Sequence, residues 1–122
     1  MRNKLQRAVI ALAQQAEVQL SLFPDFVCKA DELVLDFDDG LYEMVGDEAE
    51  FTGEQRAAIE ALDRFITPMG GRANANLWTD DAVRSHPRWE QIRSLARSAA
   101  DAFGWDIRQL PPSDAVYVPA GR

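Results

Sequence analysis

The chain has 122 residues, of which 47% are hydrophobic and 27% charged, and its formal net charge is −7 at pH 7. That length and balance suit one domain that buries roughly two thirds of the surface of its unfolded chain, and they exclude a disordered tail. No apolar run approaches the ~20 residues needed to span a bilayer, and a single cysteine, Cys28, allows neither an internal disulfide nor a thiolate metal cage. A cytoplasmic protein is the expectation.

The charge is unevenly distributed. Residues 1–30 carry four basic and two acidic side chains, residues 64–122 carry eight and six, and residues 31–63 carry twelve acids against Arg56 alone. The outer segments are therefore each +2 and the middle third is −11. Such asymmetry points to a basic partner and away from nucleic acid or an anionic membrane. Arginine outnumbers lysine eleven to two, a bias expected of a GC-rich bacterial coding sequence.

At the N-terminus, positive residues precede a short apolar patch in the outline of a signal peptide. Gln14, Gln15 and Glu17 interrupt that patch, and no small-x-small cleavage site follows. Leu5, Val9, Leu12, Ala16 and Leu20 recur at helical spacing and predict one amphipathic helix from Asn3 to Leu20, closed by Phe23-Pro24. Arg2, Lys4 and Arg7 mark a solvated helix end that can pair with the acidic segment. Cys28 follows Phe26-Val27 and is expected to be a buried, inert thiol.

From Asp31 the sequence DELVLDFDDGLYEMV offers two readings. One is a helix capped by Asp31 that buries Leu33, Phe37, Leu41 and Met44, with Val34 and Val45 alongside and Asp36, Asp38, Asp39 and Glu43 on or near the other face. The other is a strand, Leu33 to Phe37, entering an Asp-Asp-Gly turn. Helical spacing holds over thirteen residues and strict alternation over four or five, which favours the helix. Gly40 in its middle costs ~1 kcal/mol against that choice.

Leu33-Val34-Leu35-Asp36-Phe37-Asp38-Asp39-Gly40 also resembles the first motif of the haloacid-dehalogenase phosphatases, an apolar strand ending in Asp-x-Asp with a glycine soon after. The resemblance implies an Asp36 nucleophile, an Asp38 acid–base group and a Mg²⁺ ion joining them. It covers eight residues of 122, Asp39 displaces the glycine by one position, and the chain is too short for the parallel sheet and downstream Lys and Asp of that family. An EF-hand loop fails because Leu35 and Phe37 would stand where oxygen ligands are required.

Asp47, Glu48 and Glu50 continue the acidity through a loop. Thr52-Gly53-Glu54-Gln55 then has the form of a capping box opening a helix with Ala58, Ile59, Leu62, Phe65 and Ile66 on its buried stripe, stopped by Pro68. Met69 to Asn76 reads as a flexible connection, and without Gly-Lys-Ser/Thr it is no phosphate-binding loop. Thr79 caps a short helix, Asp80 to Arg84, with Trp78 packed just before it. The strongest helical signal is His86 to Gly104. Trp89, Ile92, Ala96, Ala99 and Phe103 line one face, Arg93 and Arg97 lie on the polar side, Pro87 suits the first turn and Gly104 the left-handed stop. Residues 105–122, with Pro111, Pro112 and Pro119, form an extended tail expected to cover its own core through Trp105, Ile107 and Val116.

These elements predict an all-α, single-domain bundle of four to five helices over residues 1–122, with the proline-containing tail beyond 105. A lone histidine, His86, provides neither a metal set nor a nucleophile relay, so no catalytic residue, metal or cofactor is assigned. The expected function is binding of a basic protein partner through Asp36, Asp38, Asp39, Glu43, Asp47, Glu48 and Glu50. An inhibitor has this profile, as does an immunity protein that neutralises a toxin with a cationic, nucleic-acid-binding site. Two alternatives are a homo-oligomeric scaffold that buries the face around Trp89, and a Mg²⁺-dependent hydrolase using Asp36 and Asp38.

Overall fold

The computed structural model describes residues 3–111, 116 and 117; the side chains of Asn3 and Glu48 also lie outside that description. Among the described residues there are six α-helices and no strand: α1 (Asn3–Ala13), α2 (Ala16–Ser21), α3 (Lys29–Glu43), α4 (Gly53–Ile66), α5 (Asp80–Ser85) and α6 (Pro87–Phe103). Short 3₁₀ turns at Glu48–Glu50, Thr67–Met69 and Arg72–Leu77 connect them. The chain is thus an all-helical bundle with four long members, as expected, and residues 33–38 are helix rather than strand. None of its described helices is long and apolar enough to cross a membrane.

α1 packs between α3 and α6, and α6 packs in turn against α4. The apolar face of α6 makes the centre of the core: Trp89, Ile92, Ala96, Ala99 and Ala100 are fully buried there. Trp89 satisfies its indole N–H by donating to the Leu77 carbonyl at 2.7 Å. The ends of α6 are closed locally. His86 Nδ1 accepts from the Arg88 N–H, Pro87 opens the first turn, and Gly104 (φ 72°) makes the left-handed stop that a side chain would strain. The α4 capping box forms as read, with the Thr52 hydroxyl accepting from Gln55 N–H and the Gln55 side chain accepting from Thr52 N–H.

Several details differ from the expectations. The first helix does not run from Asn3 to Leu20; it ends at Ala13, and α2 restarts at Ala16 after an extended Gln15. Donors from elsewhere take over the last carbonyls of α1. Gln19 Nε2 reaches Ala11 O and Leu12 O, Gln14 Nε2 reaches Ile10 O and the distant Ile107 O, and Arg97 Nε reaches Ala13 O. Arg93 is not on the polar face of α6 but only 4% exposed. Its guanidinium donates to Gln19 Oε1 at 3.0 Å, Val83 O at 2.9 Å and Glu90 at 3.1 Å, so a buried charge is satisfied by three acceptors.

Asp31 lies in the first turn of α3 rather than at its cap, which is Cys28. Cys28 is exposed, not buried, and its thiol points at Trp78 O. The connection through Met69 to Asn76 is organised into turns by Asn74 Nδ2, which donates to Pro68 O and Gly70 O, and by Trp78 Nε1, which donates to Met69 O. In the tail, Trp105 stacks on Phe103, Tyr117 meets Phe23 edge-on, and Ile107 lies against the core. Val116 instead stands 85% exposed. Pro112 and Pro119 of the expected tail lie outside the described residues.

Gly40 is explained by the α1–α3 crossing. A Cβ there would stand 2.7 Å from Leu5 Cα and 2.9 Å from Leu5 N, so the glycine lets the two backbones meet. Its intrinsic helix penalty is exchanged for that close approach.

Candidate partner-binding face

The acidic residues of α3 divide according to helical geometry. Residues seven apart share a face, whereas residues two apart point about 200° away from each other. Asp36 and Glu43 form one such heptad pair and both turn toward α1. Glu43 meets Lys4 Nζ at 2.8 Å and Asp36 lies 3.9 Å from Arg7 Nη1. Burial raises the Asp36 pKa above the ordinary aspartate range, Arg7 offsets part of that rise, and Glu32 and Asp39 add to it. Tyr117 of the tail, held against Phe23, feels the same carboxylates: burial and then Asp36 and Glu32 push its hydroxyl up. The basic start of α1 thus answers two of the seven predicted contact residues within the molecule.

Asp38 belongs to the other set. It is exposed, and its pKa is raised by partial burial, then by Asp63 of α4 and by Asp39. Asp39 and Asp47 are also exposed, and no ion pair reaches Asp38, Asp39 or Asp47 among the described residues. Glu50 is exposed beside them and makes contacts of its own, while the side chain of Glu48 lies outside the described residues. The structure therefore separates six of the seven into an inward pair, Asp36 and Glu43, and an outward group of Asp38, Asp39, Asp47 and Glu50.

The same outward side carries apolar residues that charge counting missed. Leu35 is 51% exposed, Tyr42 81% and Val45 71%, so Val45 does not join the buried stripe. Asp31, Leu35, Asp38, Tyr42 and Val45 follow at steps of four, three, four and three residues, a second stripe whose spacing was present in the sequence. Because α3 and α4 do not pack along their lengths, a groove of about 550 Å³ opens between them. Met44, Phe51 and Ile59 give it a buried floor, Leu41, Val45 and Ala49 form its walls, and Arg56, Glu60 and Asp63 share its rim.

Asp36 and Asp38 cannot converge on one ion from opposite sides of a helix, so the Asp-x-Asp geometry implied by the phosphatase resemblance is not formed. Among the described residues, no group of three or more His, Cys, Asp or Glu side chains is placed to hold a metal ion. The class that the fold and this face define is an all-α domain with an acidic, partly apolar outer surface. Comparison with known proteins finds no matching family model, no similar curated protein and no similar solved structure.

Proposed function

We propose that this protein binds a basic protein partner through the outward surface of residues 31–63, as a small bacterial, cytoplasmic inhibitor of the toxin-immunity kind rather than as an enzyme. The observation that carries this reading is the uncompensated charge of Asp38, Asp39 and Asp47, which are exposed and without ion pairs among the described residues. Partial burial raises the pKa of Asp38, and the neighbouring carboxylates of Asp63 and Asp39 add to that rise. A cationic surface relieves that repulsion on contact and is steered toward it over a distance, because opposed potentials raise the association rate. A carboxylate-rich face of this kind can occupy a site built for phosphates, which is how an acidic inhibitor blocks a nucleic-acid-binding toxin.

Affinity capture from the source organism with wild type and the D38N/D39N/D47N variant, at low and raised salt, tests the reading. A basic protein held by wild type, released by salt and not retained by the variant is the expected result. A retained set that is identical for both proteins and insensitive to salt overturns it.

A further inference from the structure

We infer that the groove between α3 and α4 takes the apolar face of a cationic amphipathic helix, a deepening of the binding reading above that rests on it for the sign of the partner's charge. The floor of Met44, Phe51 and Ile59 and the walls of Leu41, Val45 and Ala49 are apolar, so the occupant's inserted side chains are apolar. Around them stand Asp63 on α4, which lines the groove, and Asp38 on α3, which Asp63 influences; Arg56 and Glu60, the latter paired with Arg64 at 3.1 Å, share the rim. Arginine or lysine flanking an apolar anchor matches that arrangement, with stems along Tyr42 and Val45 and charged heads at the carboxylates. A second copy of this chain does not match it, since each copy carries −7 and would bring the same acidic face.

The backbone decides the form of the occupant. Every described regular element here is helical, so no sheet edge offers N–H and C=O groups to an extended peptide. A strand laid in this groove would leave its own backbone polar groups unpaired where it is desolvated, whereas a helix satisfies them internally. Leu35 and Tyr42, seven residues apart on α3 and both exposed, offer helix-against-helix contacts beyond the groove.

The test is a titration of the isotopically labelled full chain, followed by amide chemical shifts, with two synthetic probes of equal positive charge. One is a helix-forming peptide with lysine and arginine on one face and leucine and one tryptophan on the other; the second is oligolysine. The amphipathic peptide is expected to bind saturably, shifting Leu41, Met44, Val45, Phe51 and Ile59, and the A49R variant, which places a cation in the exposed wall, should weaken it about tenfold. Shifts clustered elsewhere, or equal affinity for A49R with an unchanged amide spectrum, overturn the groove assignment. If oligolysine shifts Asp38, Asp39 and Asp47 in a salt-dependent way while the amphipathic peptide leaves the groove untouched, the groove inference fails and the acidic-face reading stands. If neither probe binds, both fall. Sedimentation showing that the protein alone dimerises through these same groove residues also overturns the choice of occupant.

Discussion

Replacing Gly40 with alanine sets two effects of opposite sign against each other. In an open helix the change would gain ~1 kcal/mol through propensity alone. Here the new Cβ would stand 2.7 Å from Leu5 Cα, 2.9 Å from Leu5 N and 3.2 Å from Lys4 C, all backbone atoms of α1. Carbon atoms prefer separations of about 3.5–4.0 Å, and backbone cannot rotate aside as a side chain can, so the helices must part by about 1 Å. That displacement loosens the interface of Leu5 and Val9 with Leu33 and Phe37, all of which are buried. Overpacking of this kind costs about 1–3 kcal/mol, and with no side chain able to yield, G40A should sit at or above the upper end. After the propensity gain a net loss of about 2 kcal/mol or more is expected, seen as a Tm lowered by about 8 °C or more. Urea and thermal unfolding followed by circular dichroism measure it. G53A, where nothing lies within 4 Å of the added carbon, is the control and should lose nothing. A G40A protein as stable as wild type or more so would refute the close-approach explanation of this glycine.

Three other outcomes are expected. R93A should destabilise by about 3–5 kcal/mol because it strands Gln19 Oε1 and Val83 O in the core, and a double-mutant cycle pairing R93M with Q19L should show about 1–3 kcal/mol of coupling in urea unfolding. T52A should cost about 1 kcal/mol by removing the acceptor for Gln55 N–H at the start of α4, with an unchanged m-value. The third concerns pH. Asp38 has a folded pKa raised above its unfolded value, first by burial and then by Asp63 and Asp39. The folded state therefore holds that proton more tightly, and stability falls as pH rises from the ordinary aspartate pKa through the raised one. D38N should thus melt higher than wild type at neutral pH, and that advantage should disappear below the ordinary aspartate range; a Tm difference that is constant with pH counts against the raised pKa of Asp38.

Local chemistry determined much of this architecture. Thr52 and Gln55 close a capping box within four residues, Thr79 Oγ1 accepts from Ala82 N–H, and Pro87 and Gly104 bound α6, because each of these signals acts through neighbours in the chain. The excess of acid in residues 31–63 was likewise plain from counting. What counting could not decide was where each charge ends up. Asp36 and Glu43 turn to Arg7 and Lys4 while Asp38 stays exposed and feels the charge of Asp63, and that division depends on which helices flank α3. The break at Ala13 has the same origin: the apolar stripe runs on unbroken toward Leu20, but donors from Gln19 and from Arg97 of α6 take the carbonyls that a continuous helix would have used. Arg93 sits at a position its charge would assign to solvent, and it is buried because Gln19 and Val83, 74 and 10 residues away, supply acceptors that folding brings together. Sequence by itself thus determined the long helices and the ends of α4 and α6 through contacts a few residues long, whereas tertiary structure decided where α1 stops, which polar groups are answered inside the molecule and which still face outward, since their partners meet only once the helices pack.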